Sequence, residues 1–307
     1  MVSALFTPGL VHTPVTPFAA DDAIDWKTYG KLIDFHLAHG AQALAVPMHV
    51  AESVSLTDEE QRRAIAFVLD RSRGKVPVIA HVSDAGTGIA ADRAVHARKA
   101  GAAALVFTTP YYWTPPADML LEHFDQIGAA TSLPFYLWHA PDEMRGPKIT
   151  TDLVLRLIAK RPNFVGVVDS SNDWQFQINV LSNAQRARPD FQLACGSEYM
   201  GSAGANGATS LFSALAGVAP VLVRRLYEIC RREEYLEARK VQEQVAALYQ
   251  IVKGGGFAGL KAALAAVGRD CGVPRPPMQA LEPAARYALA AELKRFDALG
   301  AEPEGWQ

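Results

Sequence analysis

Eight short apolar runs, separated by longer segments of helical periodicity, constrain this chain more than any other feature. In order they are Leu10–Val15, Ala43–Val46, Val76–Ala80, Ala104–Thr108, Pro134–Trp138, Phe164–Val168, Phe191–Cys195 and Ala208–Phe212. They recur every roughly 30 residues, with a shorter last step, which is the span of one strand, one helix and two turns. The intervening segments place apolar residues at i, i+3 and i+4, as in Trp26–Leu37, Asp58–Leu69, Ile89–Lys99, Met119–Ile127, Thr151–Ile158 and Trp174–Asn183. Thr57 before Asp58, Glu59 and Glu60 reads as an N-cap with an acidic first turn, and Thr150 or Thr151 starts another helix. Alternation of this kind predicts a parallel α/β architecture.

Eight strands close naturally into a (β/α)8 TIM barrel, which takes about 250 residues. The 307 residues here suffice. A doubly wound open sheet would carry a Gly-rich phosphate loop after its first strand, but Thr13-Pro14-Val15-Thr16-Pro17 stands there. Beyond the eighth run, Pro220–Cys230, Glu233–Val252, Gly256–Val267 and Glu282–Leu299 read as further helices. The expectation is a single domain over 1–307, with a barrel core over about 1–220 and a C-terminal helical extension over about 221–307.

Composition narrows the function classes. A net charge of −2 offers no electrostatic case for nucleic acid or an anionic membrane. Cys195, Cys230 and Cys271 are scattered and form no CxxC pair, so neither a disulfide framework nor a cysteine zinc site is expected. The opening MVSALFTPGL lacks the basic and apolar regions of a signal peptide, and no run approaches the length of a membrane span. A cytoplasmic protein acting on a small molecule is the expectation.

Several strings occur in a telling order. Val15-Thr16-Pro17-Phe18 follows the first run, and Thr109-Pro110-Tyr111-Tyr112, with Pro115 beyond, follows the fourth. Val165-Gly166-Val167-Val168-Asp169-Ser170-Ser171 spans the sixth, and Gly207 to Pro220 surrounds the eighth. Lys261 and Arg275-Pro276-Pro277 lie near the C-terminus. Over about residues 9–281 this series resembles the dihydrodipicolinate synthase / N-acetylneuraminate lyase family. The resemblance implies a TIM barrel, a lyase and a homo-oligomer, dimer or tetramer.

The family's chemistry needs a lysine on strand six, in Val-Gly-x-Lys-(Asp/Glu)-Ser, whose amine forms an imine with a 2-oxo acid. Here that position is Val168, and the nearest lysines, Lys148 and Lys160, precede the strand. The family's Gly-Thr-Thr-Gly-Glu-Ser becomes Met48-His49-Val50-Ala51-Glu52-Ser53, which replaces two hydroxyls by His49 and Val50. Its Tyr-Asn-x-Pro becomes Trp138-His139-Ala140-Pro141, so the proton-transferring tyrosine is gone. The glycine ending strand three becomes His81, and a family arginine corresponds to Arg145 if the loop has gained residues. Loss of all these groups together implies a site rebuilt for chemistry other than an imine, or abandoned.

Sites of these barrels lie at the C-terminal ends of the strands. His49 stands where the family contacts substrate, and its alternative is a hydrogen-bonded loop histidine. His81 points either into the mouth or sideways. Tyr112 matches the family tyrosine that enters a neighbouring subunit's site, and otherwise serves the interface. Trp138 either stacks on a substrate ring or fills space, both of which imply a more apolar pocket, and Val50 and Val168 are further substrate-binding positions. Glu198 is a pocket carboxylate or an acidic residue at a helix N-terminus. Glu52, Asp169 and His139 read as structural, His12 as part of the first strand, and His36, His39, His96 and His123 as helix-borne residues with no special role.

Three readings follow. In the first, a lyase or hydratase without cofactor uses His49 and His81 as acid–base groups, with help from Tyr112, on a small carbonyl or carboxylate compound. In the second, His49, His81 and Glu198 hold a divalent metal that polarises a carbonyl or activates water. In the third, the protein binds a ligand without turning it over.

Overall fold

The structure, a computed structural model, describes residues 6–307. Residues 1–5, on which the expectation of no signal peptide partly rests, lie outside the described residues. Strands β1 (Leu10–His12), β2 (Ala43–Val46), β3 (Val78–His81), β4 (Ala104–Thr108), β5 (Phe135–His139), β6 (Phe164–Asp169), β7 (Gln192–Cys195) and β8 (Ser210–Ser213) form a closed barrel in sequence order. All neighbours are parallel, and β8 closes on β1 through His12 opposite Ser213. The fold is the expected (β/α)8 TIM barrel.

Around it run α1 (Trp26–Ala38), α2 (Asp58–Ser72), α3 (Thr87–Ala100), α4 (Ala117–Ala129), a short α5 (Pro141–Met144), α6 (Thr151–Lys160), α7 (Trp174–Ala187), α8 (Met200–Ala205) and α9 (Pro220–Arg231). Then come α10 (Tyr235–Lys253), α11 (Gly256–Ala266) and α12 (Pro283–Lys294). Thr57 caps α2 in a full capping box with Glu60, and Thr150, rather than Thr151, caps α6.

The strand ends differ from the sequence expectation for backbone reasons. β1 stops at His12 because the Thr13 amide makes the last bond, to Ser213 O at 3.0 Å, and Pro14 has no N–H to continue. β3 starts at Val78 because Pro77 contributes only its carbonyl, to Leu44 N at 3.0 Å. At their other ends β3, β5, β6 and β8 each run one residue further, to His81, His139, Asp169 and Ser213. α10 likewise extends to Lys253, which brings a lysine into its last turn.

Both faces of the sheet are buried, as in a parallel barrel. Val11, Ala45, Ile79, Val106, Tyr136 and Phe212 pack together inside the barrel. Outside, Phe107, Phe135, Phe164 and Phe191 form an aromatic run with centroids 5.0, 5.1 and 5.2 Å apart. These rings join the sheet to the helical layer with geometry favoured by aromatic pairs.

Candidate active site

Strand alternation decides which end residues reach the barrel interior. Tyr136 and Trp138 face inward on β5, so His139 faces out. Its Nδ1 lies 2.9 Å from Asp169 Oδ1, and its ring packs 4.3 Å from Phe176 of α7. Asp169 also accepts from the Ser171 hydroxyl and Gln177 Nε2. His12 likewise faces out, its Nδ1 3.0 Å from Nδ1 of His36 on α1.

At the C-terminal end of the barrel a cavity of about 540 Å³ opens. Val168, Trp138, Phe212 and Thr13 come from the strand ends, and Met48, His49 and Val50 from the loop after β2. The end of α10 and the start of α11 form the opposite side, with Tyr249, Val252, Lys253, Phe257 and Leu260. Two glycines shape this frame. A Cβ on Gly196 would lie 2.4 Å from Ser170 Oγ, and one on Gly255 would lie 2.7 Å from Gly259 Cα.

His49 begins a 3-10 turn, His49–Ala51, and projects against the cavity. Its ring lies 4.8 Å edge-on from Phe257 and 6.0 Å from Trp138. Burial holds its pKa below the ordinary 6.5, and no charged neighbour opposes this. Among the described residues no protein group hydrogen-bonds either ring nitrogen. A neutral imidazole with free nitrogens is thus presented to whatever fills the cavity.

His81 faces inward but lies behind Trp138, with ring centroids 5.9 Å apart and nearly perpendicular planes. Its Nε2 is 2.7 Å from Ser83 Oγ, and its Nδ1 is sealed from solvent. Burial, then Arg93, then His49 lower its pKa to about 3. It is not on the cavity wall. Trp138 shields it and is itself held by Nε1 donating to Ser170 Oγ at 2.8 Å, while Ser170 Oγ donates to Gly196 O at 2.8 Å.

Glu198 lines the cavity, yet its carboxylate is engaged. It accepts from Ser213 Oγ at 2.7 Å, Ala214 N at 2.9 Å and Leu215 N at 3.0 Å, closing the turn after β8. Burial raises its pKa against these bonds. Tyr112, at φ +76°, stands 88% exposed on the loop after β4, edge-on to the exposed Trp113 at 5.1 Å, and does not reach this cavity. Arg145 follows α5 at φ +50° and is also off the wall.

The structure therefore brings His49, Val50, Trp138, Val168 and Glu198 to one cavity and leaves His81 and Tyr112 off it. Among the described residues no group of three His, Cys, Asp or Glu side chains is placed to hold a metal ion, so His49, His81 and Glu198 do not form a ligand set. Sequence reasoning missed Thr13, Glu143 and Lys253 on the wall. The one signal for Lys253 is its place before Gly254-Gly255-Gly256, where a helix must end.

Comparison with known proteins agrees with this fold. The profile of the Dihydrodipicolinate synthetase family matches residues 7–296. An uncharacterized DapA-like lyase of Halobacterium salinarum is 33% identical over 93% of this chain and 92% of its own length. A 4-hydroxy-tetrahydrodipicolinate synthase of Chelativorans sp. is 30% identical over 93% of this chain and 97% of its own. A crystal structure from Pseudomonas aeruginosa, described as a putative dihydrodipicolinate synthetase, superposes with a TM-score of 0.89 at 26% identity, covering 95% of this chain and 100% of that one. With its barrel closed in order and its sequence matched over nearly its whole length, the chain belongs to the dihydrodipicolinate synthetase family.

Proposed function

We propose that the protein is a lyase, of the carbon–carbon or carbon–oxygen type, that acts on a small carbonyl or carboxylate compound without a Schiff base. The observation that carries this reading is the free, neutral His49 imidazole on a cavity wall where β6 supplies Val168 and no amine. Valine has no amine, so no imine forms at that position. His49 acts instead as the general base. In a carbon–carbon cleavage it removes a hydroxyl proton, the bond breaks, and the electron pair passes to the adjacent carbonyl as an enolate. The imidazolium then returns the proton to carbon. Thr13 lines the same cavity, and its hydroxyl is the donor assigned to the enolate oxygen.

Trp138 and Phe257 exclude water around His49, which strengthens each polar contact made there. His81 serves by supporting Trp138 from behind. Tyr112 and Trp113 belong to a contact between subunits of a homo-oligomer, in keeping with their exposure. The test is turnover of a panel of 2-oxo and 2-hydroxy acids by the wild type and by His49→Gln, with a chelator present. Turnover lost in the variant supports the reading. Incubation with pyruvate and borohydride leaves the protein mass unchanged, and a reduced adduct on any lysine, Lys253 included, overturns it.

A further inference from the structure

Within that cavity, and resting on the reading of it as the substrate site, we infer that Lys253 anchors the carboxylate of a substrate whose remaining body is apolar and ring-sized. Three observations carry this. The walls are dominated by Met48, Val50, Trp138, Phe212, Val252 and Phe257, which hydrate poorly and favour hydrocarbon. The Glu198 carboxylate on the same wall is closed by three hydrogen bonds inside the protein, so it neither binds a substrate cation nor neutralises Lys253. Lys253 is the one Lys or Arg lining the cavity, and among the described residues it forms no ion pair.

Lys253 ends α10, where the last carbonyls favour a cation, and its Nζ lies 5.3 Å from the Tyr249 ring centroid. Lys253 also borders a neighbouring surface groove with Asn172, Trp174 and Tyr199, and its ammonium makes no hydrogen bond among the described residues. Glu143 lines the same cavity and forms no ion pair with Lys253, although the Lys253 charge lowers the Glu143 pKa somewhat. The net shift of that pKa is upward, first by desolvation. A substrate carboxylate at Lys253 therefore gains an unshared cation and meets mild repulsion from Glu143. A cavity of about 540 Å³ exceeds what a three-carbon acid fills, and its size suits an aromatic or branched body beside Trp138 and Phe257.

The test is calorimetric titration of the full-length protein with 3-phenylpropanoate, with its uncharged analogue 3-phenylpropanamide, and with pyruvate. The acid is expected to bind about tenfold tighter than the amide, because a charge-assisted contact at a half-open site is worth about that much. Lys253→Met should remove this preference and leave amide affinity unchanged, Lys253→Arg should keep it, and Glu143→Gln should tighten the acid. Lys253 is exposed, so the variants should melt with the wild type. Equal affinity of acid and amide, an unchanged preference in Lys253→Met, or pyruvate binding as tightly as the phenyl acid would each overturn the inference. In His49→Gln the preference of acid over amide should persist, because it depends on the Lys253 charge, whatever the change in both affinities. Failure of the acid–base reading therefore shows in turnover and failure of the anchor in binding.

Discussion

Lys261 Nζ lies 2.7 Å from Glu52 Oε1, and both side chains are essentially sealed from solvent, at 2% and 1% exposure. Glu52 also accepts from Arg275 N at 2.8 Å, and Lys261 donates to Val273 O at 3.1 Å. The pair ties α11, which covers the cavity, to the loop that carries His49. Removing one partner strands the other charge in the interior, so Lys261→Met should cost roughly 3–5 kcal/mol. The double variant Lys261→Met with Glu52→Gln should cost less than the two single changes combined. Urea unfolding of all three decides it, and additive losses would refute the coupling.

His49 sets an expectation for pH. General-base catalysis needs the unprotonated ring, and burial lowers its pKa. The acid limb of kcat/KM should therefore fall below pH 6.5, with full activity through neutrality. His49→Gln should lower kcat/KM by roughly 10²–10⁴ and leave the melting temperature unchanged. An acid limb centred above 6.5 would exclude His49 as the base.

The His12–His36 pair predicts acid lability. Burial lowers the His12 pKa to about 3 and that of His36 well below 6.5. Folded pKa values below the unfolded one mean that stability is complete above pH 6.5. It is lost as pH falls, because only the unfolded chain takes up the protons. The double variant His12→Val with His36→Leu should flatten the decline of the urea midpoint between pH 7 and pH 5. An unaltered slope would place the lability elsewhere, for instance at His81 or His123, which also sit well below the ordinary value.

Ser170 holds Trp138 in place. Ser170→Ala leaves the buried Trp138 Nε1 without its acceptor and should cost about 1–3 kcal/mol. KM should rise more than kcat falls, because the ring shapes the cavity and does not move protons. Thermal melts and steady-state kinetics together check both halves.

The exposed Tyr112–Trp113 pair predicts an oligomer. Light scattering should return a multiple of 33.2 kDa, and Tyr112→Glu with Trp113→Glu should shift it toward a single chain. A wild-type mass of one chain would remove the interface reading.

The amino-acid sequence determined the barrel by itself. Eight apolar runs at a strand–helix repeat, with a capping box at Thr57, leave few other closures, since these signals act within a few residues of themselves. Val50, Trp138 and Val168, singled out from the sequence, line one cavity, two of them from strand ends and Val50 from the loop after β2. What the sequence could not determine was depth and direction. His81 and His49 look alike as strand-end histidines, yet the Trp138 ring covers the inward-facing His81 and the loop's turn puts His49 at the wall. Glu198 was equally consistent with a free pocket carboxylate until the turn after β8 was seen to engage it. Lys253 is 85 positions from Val168 in the chain, and only the folding of α10 and α11 over the barrel mouth brings the two to one cavity. Local periodicity encodes which segments become strands and helices. Which side chains share a cavity depends on contacts between residues remote in sequence, and those exist only once the barrel has closed.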